Sequence, residues 1–346
     1  MRSLTKIALG TGIAGAVALT LAGTTGTALA DPPSGVTPPS NAIVGVGSDT
    51  TEYVLDQLAL AYDAQSPAPT NPLYSWDATG TTPITTKTGA TSIARPNGSG
   101  AGIAALIANT KTTVDFARSS RARNTSDPTT IKFVAFAKDA VTVAVQNTTN
   151  APANLTTANL KSIYTCASTR WNQVGGTSTA TIKPFLPQAG SGTRAFFEAA
   201  IGVTDSTVGS CVNSTVQENE GTNSLLNDPN AIVPYSTAKY IAQVFHSGAG
   251  QNTFGTDDHG TLKLDSINST APTTGSGSTT TINPSFSAAF VRNVYNVVRQ
   301  DTTTTDQIPA YEEPVFGSGK FICTQTTIVK NYGFLPLSGS QCGAVS

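Results

Sequence analysis

The chain is 346 residues long and 38% hydrophobic, but only 12% of it is charged, with 20 Lys and Arg against 21 Asp and Glu and a formal net charge of −1. So mild a balance argues against a nucleic-acid partner or an anionic membrane surface. With charge this sparse, Ser, Thr, Asn and Gly carry the solubility, and any group of arginines stands out.

The first thirty residues read as an export signal. Arg2 and Lys6 precede an apolar run from Ile7 to Leu21, and Ala28-Leu29-Ala30 gives the small-x-small cleavage pattern before Asp31. A membrane anchor fits less well, because the run is short and Gly-rich. No Cys stands at the cut, so no lipid attachment is expected and the mature chain, residue 31 onward, is expected to be secreted or extracellular. Losing Arg2 and Lys6 brings its formal charge to about −3. Its four cysteines, Cys166, Cys211, Cys323 and Cys342, suggest two disulfides. Of the three possible pairings, Cys166–Cys211 with Cys323–Cys342 closes the shorter loops and is preferred. There is no CxxC spacing, and His246 and His259 are far from every Cys, so no metal or other cofactor is expected. About 316 mature residues suit two lobes better than one core.

In chain order, Asp31–Ser40 is a Pro-rich leader expected to act as a flexible tether. Ala42–Val46 reads as a buried strand and Thr51–Tyr62 as an amphipathic helix. The Thr-rich stretch Gly80–Arg95 reads as a strand with its loops, Gly102–Ala108 as a helix, Val114–Ala117 as a short strand, and Phe133–Val145 as one or two strands. Leu155–Tyr164 is predicted helical, Ile182–Leu186 a strand, Thr193–Ile201 a helix, Ala231–Val233 a strand and Ser236–Phe245 a helix. Thr270–Asn283 is low-complexity and loop-like, and Val294–Val298 is a late strand. Alternating strands and helices make the class α/β.

Three segments share one design: Gly47-Ser48-Asp49-Thr50-Thr51, Asn97-Gly98-Ser99-Gly100-Ala101-Gly102 and Ala189-Gly190-Ser191-Gly192-Thr193. Each is a loop of small residues opening directly into an apolar-faced helix. A helix start offers unpaired N–H groups and a partial positive charge, Gly admits close approach, and Ser or Thr adds a hydroxyl donor. One such loop is ordinary helix capping; three of them point toward an anion site.

The order of motifs resembles the phosphate-binding proteins of ABC importers and, more widely, the type 2 periplasmic binding proteins. GVGSDTTEYVLDQLALAY is similar to that family's first strand-loop-helix, RPNGSGAGIAALI to its second ligand loop and VDFARSS to its short strand and turn. NLTTANLKSIYTCASTRWNQVGG resembles the helix and Trp-Asn turn of its second lobe, and AGSGTRAFFEAAI its GSGT helix start. The resemblance implies two α/β lobes joined by hinge strands, with residues 41–146 and 294–346 in lobe 1 and 147–293 in lobe 2, so that each disulfide stays within one lobe and leaves closure free. It also implies ligand contacts from Asp49, Thr50, Ser99, Ser191, Gly192 and Thr193. The family's phosphate receptors carry an Asp where this chain has Ser120, and an Arg four residues before the GSGT Ser, where it has Pro187; Ser120 stays in the candidate ligand set beside Thr50 and Ser99. Arg95, Arg118, Arg121 and Arg194 flank the loops, and Arg118 and Arg194 join the candidate ligand set as replacements for the lost charge. Asp49 is awkward in an anion site unless it is neutralised, or simply caps its helix.

Other candidates rank lower. Asp257-Asp258-His259 reads as a solvated turn, Glu218 and Glu220 as exposed carboxylates, and Trp171 as packing. The expected function is reversible capture of a small oxyanion, phosphate foremost, without catalysis, by a monomer that serves an ABC permease. The alternatives are a secreted interaction protein that keeps the scaffold without the ligand and, further off, an extracellular hydrolase.

Overall fold

The polypeptide builds outward from β1 (Ile43–Gly47), a strand buried along its whole length. α1 (Glu52–Asp63) follows, then β2 (Leu73–Ser75), α2 (Ser99–Ala108), β3 (Phe116–Ser119) and the 16-residue β4 (Ile131–Gln146). The chain continues through β5 (Asn154–Leu155), α3 (Thr157–Tyr164), β6 (Lys183–Pro187), α4 (Gly192–Ile201), β7 (Asn213–Val216), β8 (Ala231–Ser236) and α5 (Thr237–Ile241). It closes with β9 (Leu262–Leu264), β10 (Ser266–Ile267), β11 (Thr273–Thr274), β12 (Thr281–Ile282), β13 (Val291–Arg299), α6 (Glu313–Phe316), α7 (Phe321–Thr324), α8 (Thr326–Asn331) and β14 (Leu335–Pro336). This computed structural model describes residues 31–32, 36–247 and 255–346, so the expected export signal lies outside the described residues. Among those described, no helix is long and apolar enough to cross a membrane.

The main sheet runs β2-β1-β3-β13-β4-β8-β6-β7. At one end β2, β1 and β3 are parallel, and at the other β8, β6 and β7 are parallel. Antiparallel β13 and β4 join the two halves: Ile131–Ala140 of β4 registers with β13, and Val141–Val145 with β8. The fold is thus α/β with two lobes. Expected as one or two strands, 133–145 is a single strand: almost every side chain on both its faces is buried, and the one irregularity, where the pairing with β13 skips Phe136, does not end it.

Local chemistry explains where other elements depart from expectation. In 80–95 only an isolated bridge, Ile84 to Ile93, forms; the run is largely exposed and Pro83 lacks an N–H, so the strand lies upstream at β2. β3 begins two residues late because the Thr113 and Val114 amides turn back to the Thr110 carbonyl. The helix expected over 236–245 is α-helical only to Ile241 and then widens into a π-turn, Ala242–His246. Thr273–Thr274 and Thr281–Ile282 pair as a small ribbon within the low-complexity run. Parts of the leader are docked: Asp31 takes a forked pair from Arg95 at 2.7 and 2.6 Å, and the Pro38 carbonyl accepts from the Thr88 amide at 2.8 Å. Both preferred disulfides are present. Trp171 is fully buried and donates its indole N–H to Asn230 at 3.1 Å.

Behind the first parallel half, Lys87 Nζ lies 2.6 Å from Asp115, whose other oxygen accepts from the Tyr311 hydroxyl at 3.1 Å. Glu312, beside this pair, is fully buried. Burial pushes its carboxyl from an ordinary 4.5 up to about 8, with Tyr311 pulling it back and Asp115 adding to the rise. The folded chain therefore keeps a proton that the unfolded chain gives up near 4.5. The stability this contributes is complete below that value and is lost as pH rises through about 8. Urea unfolding from pH 5 to 8 should show wild type losing stability relative to Glu312→Gln; parallel pH profiles would contradict this assignment.

Candidate functional site

The site assembles where β1, β3 and β6 end, on the carboxyl edge of the parallel strands, the usual ligand side of an open α/β sheet. Gly102 of α2 packs so closely on the end of β1 that a Cβ would stand 2.6 Å from the Gly47 Cα, so only glycine lets α2 start here. That contact sets Ser99 at the strand ends. Ser99 is the first residue of α2, not a loop residue ahead of it, and its hydroxyl accepts from the Ser120 amide at 3.0 Å instead of capping the helix. Ser120 Oγ lies 3.3 Å from Ser99 Oγ and accepts from Ser48 Oγ at 3.1 Å.

α4 approaches from the other half. Ser191 caps it through the Arg194 amide at 3.0 Å, which leaves the Thr193 amide aimed outward. Gly98, at φ +94°, sits where a side chain would strike the Gly190 carbonyl at 2.6 Å, and the Gly100 amide donates to that carbonyl at 2.9 Å. A Cβ on Gly192 would meet both Ser99 Oγ and Ser120 Oγ at 2.3 Å. Thr193 Oγ1 stands 3.2 Å from Thr50 Oγ1. The structure therefore brings Thr50, Ser99, Ser120, Ser191, Gly192 and Thr193 into one buried cluster.

The arginines flanking the loops turn elsewhere. Arg118 is buried, but Nε donates to the Ser48 carbonyl at 3.1 Å and Nη1 to Ser75 at 2.8 Å, so it props the first loop from behind. Arg194 pairs with Glu198 at 2.9 Å and with Asp205, Arg95 with Asp31, and Arg121 with Asp127 at 2.7 Å. The guanidinium in the cluster belongs instead to Arg292 of β13. Its Nη2 donates to Thr193 Oγ1 at 2.8 Å and pairs with Asp139 of β4 at 2.8 Å, while buried Nη1 has no hydrogen-bond partner. Arg292 and Asp139 are direct cross-strand neighbours. The signal for them was a lone Asp in the apolar run FVAFAKDAVTVAV, since a charge on a fully buried strand requires a partner.

A model of the PBP superfamily domain matches residues 32–289. The chain belongs to the PBP superfamily. Among solved structures it is similar to a Clostridium perfringens protein assigned as a phosphate ABC transporter substrate-binding protein and crystallised with phosphate, at 17% identity and a TM-score of 0.59 over 86% of this chain and 100% of that one. An ABC-type phosphate transport receptor from Vibrio cholerae aligns at 20% identity and TM-score 0.54, covering 85% of this chain and 100% of the receptor. A phosphate-binding protein from Stenotrophomonas maltophilia aligns at 13% and 0.53, covering 87% and 91%. At these identities the likeness is one of fold. No curated protein sequence matches the chain.

Within this PBP-superfamily scaffold, Glu218 corrects the sequence reading most sharply. Expected at the surface, it is 1% exposed. The segment after β7 turns at Glu218 and Asn219 instead of forming a helix or strand, and the left-handed Asn219 between them sends Glu218 into the cluster and Glu220 to a Thr222 hydroxyl. Glu218 Oε1 accepts from Thr50 Oγ1 and from the Thr193 amide, both at 3.0 Å, and Oε2 is buried without a partner. Asn219, at φ +55°, donates to Asp49 at 2.8 Å and to Thr50 at 3.1 Å. Asp49 does not cap α1 with its side chain. Burial pushes its carboxyl well above the ordinary value, Lys239 pulls it back, and Glu52 and Glu218 push it further up. Burial alone would lower Lys239, but Asp49 and Glu52 outweigh it and hold it charged, with Nζ 2.9 Å from Glu52. Asp257 and His259 pair with each other at the surface; among the described residues no group of three His, Cys, Asp or Glu is placed to hold a metal.

Removing Arg292 strands the Asp139 charge in the sheet. Arg292→Met should cost roughly 3–5 kcal/mol in urea unfolding; a loss below about 1 kcal/mol would show that the pair does not organise the site.

Proposed function

We propose that this chain is a secreted solute-binding protein that captures a small oxyanion, phosphate foremost, between two lobes and delivers it to an ABC-type permease. One observation carries the reading. The Thr50, Ser99 and Ser120 hydroxyls from one half of the sheet meet the Thr193 amide and hydroxyl from the other, beside a buried Arg292 with an unused N–H. Convergent hydroxyls, a helix-start amide and a guanidinium are the donor set a tetrahedral oxyanion takes. Similar folds described as phosphate-binding support phosphate as the first ligand. The lobes proposed are 41–146 with 294–346, and 147–293, hinged where β4 and β13 cross. Binding is reversible, the protein acts as a monomer, and no bond is broken: His246 is held by the Asn331 and Thr280 carbonyls and His259 by Asp257, away from every hydroxyl of the site.

A second reading, a secreted interaction protein that keeps the scaffold without a ligand, draws on Glu218, whose carboxylate already occupies Thr50 and Thr193. Calorimetry and thermal melts of the mature protein with phosphate, sulfate, arsenate and molybdate separate the two. At least one oxyanion should release or absorb heat and raise the melting temperature, and Thr193→Val should weaken that binding about tenfold, the scale of one lost hydrogen bond to a charged ligand. No heat and no shift with any of the four would favour the interaction protein.

A further inference from the structure

We infer that Glu218 is a tethered stand-in for the ligand: its carboxylate fills the anion cradle in the ligand-free protein, and a free oxyanion must displace it. This rests on the oxyanion reading of the site. A carboxylate and a tetrahedral oxyanion call on the same donors, and Glu218 Oε1 takes the two that matter most, the Thr50 hydroxyl and the Thr193 amide at the start of α4. It follows β7 in the second half yet bonds Thr50 of the first, so the same contact draws the two halves together.

The geometry also makes the stand-in displaceable. Buried Oε2 has no hydrogen-bond partner, and neither has Arg292 Nη1. An unpaired buried carboxylate oxygen is costly, so the carboxylate satisfies the cradle only in part. A phosphate has more oxygens and can satisfy Thr50, Thr193 and Arg292 together. The segment carrying Glu218 lies outside any strand or helix and is anchored by side chains: the Glu218 amide donates to Gln188 Oε1 at 2.9 Å, and Gln217 Oε1 accepts from Asn97 at 2.9 Å. Such an anchor allows the residue to swing out without unravelling the sheet. A tethered competitor is present at roughly millimolar effective concentration and raises the apparent Kd of the free ligand by the reciprocal of the fraction of time it leaves the site open. Specificity follows as well: anions with only two oxygens gain nothing over Glu218, whereas three- and four-oxygen anions do.

The test compares full-length mature wild type with Glu218→Ala and Glu218→Gln, the amide serving as an isosteric control should the alanine variant fold poorly. Phosphate calorimetry should show both variants binding at least tenfold more tightly than wild type, and millimolar formate should raise the melting temperature of Glu218→Ala alone by refilling the vacated position. Equal or weaker phosphate binding by both variants would overturn the inference and leave the oxyanion reading standing. If no form binds phosphate, sulfate, arsenate or molybdate, the oxyanion reading fails by itself. Formate rescue of Glu218→Ala would then still support Glu218 as the cradle's occupant, and its absence would overturn that too.

Discussion

The buried pair between Arg292 and Asp139 is the constraint on which the rest of the site depends. A carboxylate on a strand enclosed on both faces is tolerable only if a cation and further donors meet it. β13 supplies the cation in direct register, and the Ser236 hydroxyl and Ala238 amide at the start of α5 supply the donors at 2.9 and 3.0 Å. These contacts lock the two strands that join the halves of the sheet. The same guanidinium then reaches Thr193 at the start of α4. The charge that ties together the two halves of the sheet is therefore also the charge that the proposed site would offer to a ligand.

A chain with so few charges can still build an anion cradle because the donors are mostly hydroxyls and amides. Ser48, Ser99, Ser120, Thr50 and Thr193 cost little to bury while they bond one another, and under the proposed function they would exchange those bonds for a ligand's without uncovering an ion. Gly98, Gly102 and Gly192 matter for a steric reason: each sits where a single Cβ would push the loops apart. The acidic groups around the cradle are managed by different means. Lys239 compensates Glu52, burial raises Asp49 toward its neutral form, and Glu218 is held by the donors themselves.

Much of this was legible in the sequence. The strand-helix alternation, the two disulfides and the three small-residue loops were all readable, because each rests on local chemistry: hydrophobic period, cysteine spacing and the fit of glycine to a tight approach. Thr50, Ser99, Ser120, Ser191, Gly192 and Thr193 meet as their motif order implied. The replacement cation was not found, because closeness along the chain to a loop does not place a side chain in it. Arg118 alternates to the rear of β3 and Arg194 is taken by Glu198 and Asp205, whereas Arg292 reaches the site only through the register of β13 on β4. Helical spacing from Glu220 is the wrong frame for Glu218, because the backbone there is a turn with Asn219 in the left-handed region. Long-range pairing and tertiary burial decided both cases, and neither leaves a periodic trace.

The central claim is that Thr50, Thr193 and Arg292 form one anion cradle. A crystal structure of the mature protein grown in phosphate tests it most directly. The account predicts a phosphate bridging Thr50 Oγ1, the Thr193 amide and Arg292, with the Glu218 side chain withdrawn. A phosphate bound elsewhere, or none, with Glu218 still on Thr50 and Thr193, would contradict it.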